Sequence, residues 1–179
     1  MHRIFSTLLF LILALPLVAS AQNPPAAPKP GPEVKKLEIF VGTWTDEGEI
    51  KPGMFAATAT KFTNTTHIEW MEGGFFLIGH SEETSSMGTE KSMAIWGYDT
   101  EKKVYTYNEF ASNGESITAT GTLDGDTWTW TSEASMGGKM FKSRYVVKQV
   151  SPTSYTSKLD MQPEGGAWST VFESKATKK

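Results

Sequence analysis

Residues 117–131 read Ile-Thr-Ala-Thr-Gly-Thr-Leu-Asp-Gly-Asp-Thr-Trp-Thr-Trp-Thr. Ile117, Ala119, Gly121 and Leu123 share one parity; Thr118, Thr120 and Thr122 share the other. After Asp124-Gly125 the alternation resumes, with Trp128 and Trp130 opposed to Thr127, Thr129 and Thr131. A period of two with one apolar row and one threonine row describes a strand covered on one side only. Asp-Gly between two such runs signals a tight hairpin, because a type I′ turn needs positive φ at both central residues.

The same pattern extends outward. Tyr145 and Val147 alternate with Arg144, Val146 and Lys148, and Tyr155, Ser157, Leu159 and Met161 oppose Thr156, Lys158 and Asp160. Turn signals recur at Lys51-Pro52-Gly53, Gly73-Gly74, Ser86–Gly88, Asp99–Glu101, Asn113-Gly114, Asp124-Gly125, Gly137-Gly138, Ser151-Pro152 and Gly165-Gly166. Of the three prolines beyond residue 32, two sit in these turns and Pro163 lies beside the last, so strand interiors keep their donors. About ten antiparallel strands joined by short hairpins, with no helices to cover them, predict an all-β fold. An up-and-down barrel removes the strand edges; a two-sheet sandwich is the alternative. No internal repeat suggests a propeller.

Ahead of the strands, residues 33–40 (Glu-Val-Lys-Lys-Leu-Glu-Ile-Phe) predict one short helix, with Pro32 and Glu33 suited to its start and Gly42 to its stop. Residues 22–32 hold five prolines and predict an extended, disordered linker. Residues 1–21 read as a secretory signal peptide. Arg3 supplies the positive charge, Leu8–Leu15 the apolar run, and Ala19-Ser20-Ala21 the cleavage pattern, which places the cut after Ala21. The run falls short of the ~20 apolar residues that span a bilayer, and no other stretch approaches that length. The expected location is therefore periplasmic or secreted, with no membrane span after cleavage. The folded domain is expected over 33–175, with 176–179 a disordered tail.

Composition excludes several classes of function. Seventeen basic and twenty acidic residues give the 179-residue chain a net charge of −3, with no basic excess to hold nucleic acid. The absence of cysteine removes disulfides, thiolate metal sites, cysteine nucleophiles and a lipidated cysteine.

The octapeptide Leu37-Glu38-Ile39-Phe40-Val41-Gly42-Thr43-Trp44 places Gly-x-Trp directly after a short helix. That arrangement resembles the opening motif of calycin barrels, the lipocalin superfamily. Together with Met71-Glu72-Gly73-Gly74-Phe75-Phe76-Leu77 and Gly97-Tyr98-Asp99, it is similar to the domain-of-unknown-function family 1579, small and mostly bacterial proteins, over about residues 33–175. The resemblance implies a calycin-like barrel and no established activity. It also implies closure of one barrel end by Gly42, Trp44 and an arginine stacked on that tryptophan. The expected last strand, Trp168–Lys175, contains no arginine. Arg144, the only arginine beyond the signal segment, is the preferred substitute because guanidinium stacks well on indole; Lys175 is the other candidate.

Residues for catalysis are few. Beyond the signal segment the histidines are His67 and His80. His80 alternates with Phe76 and Ile78, which suggests an inward orientation. His67 shares a parity with Glu69, a pairing that suits a general base. Two histidines without cysteine fall short of a closed zinc site, so no metal is expected. A haem needs only one axial histidine, which keeps His67 and His80 as candidate ligands. Asp124-Gly125-Asp126 reads as a turn rather than a calcium loop. Asn64-Thr65-Thr66 is a glycosylation sequon that carries meaning only in a eukaryotic host. No nucleophile elbow, phosphate loop or zincin motif occurs.

Aromatic residues carry the main functional indication. Trp70, Phe76, His80, Trp96, Tyr107, Trp128, Trp130, Tyr145 and Trp168 are the candidates to line a ligand cavity. The reading is an exported, non-enzymatic barrel that holds a small apolar or aromatic ligand. One alternative is an acid–base isomerase or hydrolase using His67 or His80 with Glu69 or Glu109. The other is a cell-envelope interaction module.

Overall fold

The structure, a computed structural model, describes residues 27–179. The expected signal peptide and the first part of the linker lie outside the described residues. A single helical turn, α1 (Pro32–Lys35), passes into a 3-10 helix over Lys36–Phe40. Ten antiparallel strands follow: β1 (Gly42–Ile50), β2 (Thr60–Trp70), β3 (Leu77–Ser85), β4 (Gly88–Asp99), β5 (Val104–Ala111), β6 (Ser116–Asp124), β7 (Thr127–Met136), β8 (Lys139–Ser151), β9 (Ser154–Pro163) and β10 (Ser169–Lys178). Each pairs with its sequence neighbours, and β1 pairs with β10, which closes the barrel. The sandwich alternative is therefore set aside. All nine predicted turns fall at strand junctions.

The strand parities set the inside. Trp44, Asp46 and Ile50 on β1, Ala119 and Gly121 on β6, Trp128 and Trp130 on β7, and Val147 on β8 occupy buried or half-buried inward rows. Threonines and most charges take the outer rows, which face water.

The helical segment plugs one end. Leu37 is fully buried, and the Phe40 ring meets Trp128 edge-on at 5.2 Å. Trp44 donates its Nε1–H to the Phe40 carbonyl at 2.8 Å. Tyr105 donates to Glu33 at 2.9 Å, and Trp70 donates Nε1–H to Glu38 at 2.5 Å. A two-turn segment has too few internal bonds to persist alone, so these contacts hold it.

The chain end differs from expectation. Residues 176–178 complete β10 rather than forming a tail: Ala176 is fully buried, and the Lys179 amide donates to the Thr43 carbonyl at 2.9 Å. The cation over Trp44 is Lys178, at 5.5 Å from the ring, and not Arg144 or Lys175. Gly42 makes room for it, since a Cβ there would lie 2.4 Å from the Lys178 side chain. Lys178 shares the inward parity of Phe172, Ser174 and Ala176, whereas Lys175 faces out.

Candidate functional site

The opposite end of the barrel, where hairpins join β3 to β4, β5 to β6 and β7 to β8, has no helical plug. Its inward rows are polar on one side. Asp46, Asn64, Glu83 and Glu90 are successive register partners across β1, β2, β3 and β4. One rung closer to the plug, Thr66 and Ser81 hydroxyls meet at 3.0 Å. Glu109 joins them from β5, accepting from Ser92 Oγ and from the Tyr107 hydroxyl, each at 2.6 Å. Glu90 accepts from Asn113 Nδ2 at 2.8 Å. The facing wall, from β7 to β10, brings Trp130, Tyr145, Leu159 and Phe172 into register contact.

Burial and like charge act together on these acids. Burial pushes the Asp46 carboxyl above its ordinary range, a hydrogen bond from Ser174 only partly offsetting it. Glu83 is raised by burial and then by the charges of Glu90, Asp46 and Glu109. Glu90 is raised by burial, then by Glu115 and Glu109. Burial, followed by the Glu109 charge and hydrogen bond, holds the Tyr107 phenol well above its usual value. Burial and then Asp46 do the same to Tyr145.

Trp96, Tyr107, Tyr145 and Phe172 point inward and are only half-buried. The barrel wall parts at one seam. The β6–β7 ladder runs from Asp124↔Thr127 to Thr120↔Thr131 and goes no further, although both strands continue toward the hairpin end. A cavity of about 430 Å³ sits there, bounded by Thr118, Ala119, Thr131, Ser132, Ser143 and Trp168. Ala119, Ser132 and Ser143 belong to inward rows, so this opening reaches the lumen wall from outside.

The predicted site residues separate into groups. Trp96, Tyr107 and Tyr145 face the lumen; Trp96 and Tyr107 have ring centroids 5.2 Å apart. Trp128 and Trp130 also face inward, but they are buried and stacked at 6.0 Å and 9°, so they serve as core. Trp70 is tied to the plug through Glu38. Phe76 is exposed and covers Gly97, whose Cβ would lie 2.6 Å from its ring. Trp168 is exposed outside the barrel, beneath Arg144 at 4.9 Å.

His80 corrects a parity error: it faces out because Leu77 and Gly79 take the inward row. Gly79 lies under Trp96, where a Cβ would approach the indole at 2.7 Å. His67 is its register partner and is exposed as well, bonded to Thr43 at 3.0 Å and 3.9 Å from Glu69. Neither histidine meets Glu109, which faces the lumen. The residues therefore do not fit a lumen haem held through His67 or His80. Among the described residues, no three Asp, Glu or His side chains converge as metal ligands. Arg144 closes no barrel end: it pairs with Asp160 at 2.9 Å on the outer face. Burial raises the Asp160 carboxyl, but hydrogen bonds from Arg144, Thr170 and Lys158 outweigh it and hold the group below its ordinary range.

From the sequence the pair Glu82-Glu83 reads as a solvated loop; both instead lie on β3 with Glu83 on the inward row, while Asp46 and Glu90 carry no mark that sets them apart from exposed acids such as Glu47 and Glu115. Only strand parity separates them.

A family described as "Protein of unknown function (DUF1579)" matches residues 29–178. The chain belongs to this family. The match spans the whole barrel of this DUF1579 protein, together with its helical plug. No curated protein matches it. Among solved structures, it is similar to the S-type phycobiliprotein lyase CPES from Guillardia theta, at 10% identity and TM-score 0.54 over 81% of this chain and 91% of that one. It is also similar to Rv2717c from M. tuberculosis, at 11% identity and TM-score 0.57 over 84% of this chain and 99% of that one. A third likeness is to EF1p2_mFAP2b bound to DFHBI, at 10% identity and TM-score 0.45 over 82% and 98%. At these identities the first two establish a shared barrel fold. Among the described residues no helix is long and apolar enough to cross a membrane.

Proposed function

We propose that this DUF1579 protein is a non-enzymatic binding barrel that receives one small organic ligand in its lumen, with an aromatic or apolar body against Trp96, Tyr107 and Tyr145. The observation that carries the reading is that these inward rings lie against the packed core yet are themselves only half-buried. Barrels of about this strand number either fill themselves with side chains or hold one small ligand. Aromatic walls with a few fixed polar groups suit a bound organic molecule. The histidines, the usual acid–base groups near neutral pH, lie on the outer face, which favours binding over catalysis. Export belongs to the same proposal and rests on Arg3, the Leu8–Leu15 run and Ala19-Ser20-Ala21.

The test is native mass spectrometry of protein purified without detergent, followed by thermal shift against a panel of aromatic and aliphatic compounds. A ligand that binds the native state raises Tm in a concentration-dependent way. The expected result is a bound adduct, or a saturable Tm increase, that is weakened by Tyr145→Ala. A clean mass with no shift across the panel overturns the reading.

A further inference from the structure

The unplugged lumen concentrates negative charge without an answering cation. Asp46, Glu83 and Glu109 face it, with the exposed Glu90 at its rim, and among the described residues none of the four forms an ion pair. The inward rows do carry Lys178 and Lys139. Lys178 is spent over Trp44 beneath the plug, and Lys139 sits at an exposed hairpin tip. Between those extremes the inward charges are all carboxylates.

Asp46 is the most telling. It is 7% exposed, it points into the lumen, and its Oδ1 has no hydrogen-bond partner. The adjacent Asn64 Oδ1, its register neighbour, is also buried and unpartnered. Buried acceptors are normally satisfied, and two neighbouring ones left open mark a place where a donor belongs. The inward rows also supply the Tyr107 and Tyr145 rings, and aromatic rings attract cations.

We infer that the lumen ligand is an organic cation, an amine on an aromatic or aliphatic body, whose ammonium donates to Asp46 Oδ1 and Asn64 Oδ1 beside the Glu83 carboxylate. This rests on the ligand-binding reading above and adds the charge of the ligand to it. An ammonium supplies the several donors that these acceptors lack, and its charge offsets the mutual repulsion of the carboxylates. A bare metal ion is disfavoured on geometry, because no three acidic or histidine side chains converge on one point among the described residues. An anionic ligand would meet only like charge.

The experiment uses matched probes on three bodies, indole, naphthalene and decyl, each carrying an ethylamine, an ethanol or an acetate group. Titration calorimetry near neutral pH and low salt compares them on the purified protein. On at least one body the amine is expected to bind at least tenfold more tightly than the alcohol, and the acetate to be weakest. Asp46→Asn is expected to bring the amine within about twofold of the alcohol. Glu83→Gln, an independent variant should Asp46→Asn fold poorly, is expected to reduce the amine preference severalfold. Alcohols binding as well as amines would overturn the cation assignment and leave the binding barrel standing. An amine preference that survives both variants would overturn the assignment to this cluster. If none of the nine probes binds, the cation assignment falls, and the binding reading stands or falls separately on the native mass and the thermal-shift panel.

Discussion

At the plugged end of the lumen, Phe40, Trp44, Trp128 and Tyr155 close ring against ring, and the Trp44 Nε1–H is bonded to the Phe40 carbonyl. At the hairpin end, Asp46 is buried with no cation beside it, and Glu83 is raised by burial and then by the charges of Glu90, Asp46 and Glu109. Both ends are walls of the same ten strands, cut from the same two-residue alternation. The difference lies in what shares the inward parity: indoles and phenols close the plugged end, whereas at the hairpin end Ile50, Phe62, Phe141 and Met161 are buried on the same inward rows as the carboxylates. Stability is concentrated where the rings pack. The acids instead make the empty barrel less stable, a burden that has a use if something arrives to relieve it.

The contrast can be broken most severely at the plug. Trp128→Ala removes a side chain only 1% exposed, against which Phe40, Tyr105 and Trp130 pack. It is expected to cost about 3–5 kcal/mol, read as the loss of midpoint in urea unfolding. A cost below about 1 kcal/mol would show that the plugged end is not the stability centre.

A smaller effect is expected at the border between the halves. Gly79→Ala sets a methyl group against the Trp96 indole, which must shift toward the lumen. Overpacking of this kind costs about 1–3 kcal/mol, and the blue or red shift of Trp96 emission against a Trp96→Phe control reports the movement.

The hairpin end should respond with the opposite sign. The raised carboxyls of Asp46, Glu83 and Glu90 favour folding while protonated, and that contribution fades as pH rises through their elevated values. Asp46 is faced by Asn64 on β2, Glu83 on β3, Tyr145 on β8, Tyr155 on β9 and Ser174 on β10, so no neighbouring cation cancels the effect. Asp46→Asn is therefore expected to stabilise the ligand-free protein near neutral pH by roughly 2–4 °C in Tm, about 1 kcal/mol for a domain of this size. The gain should disappear in acid. A destabilisation at neutral pH would mean that the Asp46 charge is already compensated in the empty barrel.

The smallest effect belongs to the outer face. Arg144→Ala leaves Asp160 with Lys158 at 3.2 Å and Thr170 at 2.9 Å, and Arg144 is itself half-exposed. The expected loss is below about 1 kcal/mol. Because the Asp160 carboxyl is held low, that contribution is present above the ordinary carboxylate range and is lost as pH falls through its depressed value. The variant and the native protein should therefore converge in strong acid.

Most of the fold was legible because hairpin barrels write themselves locally. Asn113-Gly114, Asp124-Gly125 and Gly137-Gly138 each turned the chain where expected, and Ala119, Gly121, Trp128 and Trp130 took the inward row that their alternation indicated. Parity failed at one inward glycine. Gly79 carries no hydrophobic signal, so its row looked empty and His80 took its place in the reading. The lid over Trp44 was misassigned for a longer-range reason: Lys178 reaches it only because β10 runs on to the end of the chain. Arg144 sits on the outer parity of β8, opposite Thr131 and Asp160, where it could not reach the plug. The acid lumen was hidden differently. Four carboxylates dispersed over 64 residues of sequence become neighbours only through strand register.

The unfinished β6–β7 ladder has a kinetic consequence. Backbone amides of the upper β7 segment that face β6 lack a ladder partner there, so their protons should exchange with solvent sooner than those in the β7–β8 ladder behind them. The β7–β8 ladder, which pairs from Thr127↔Lys148 to Met136↔Lys139, supplies the slow-exchanging comparison on the same strand.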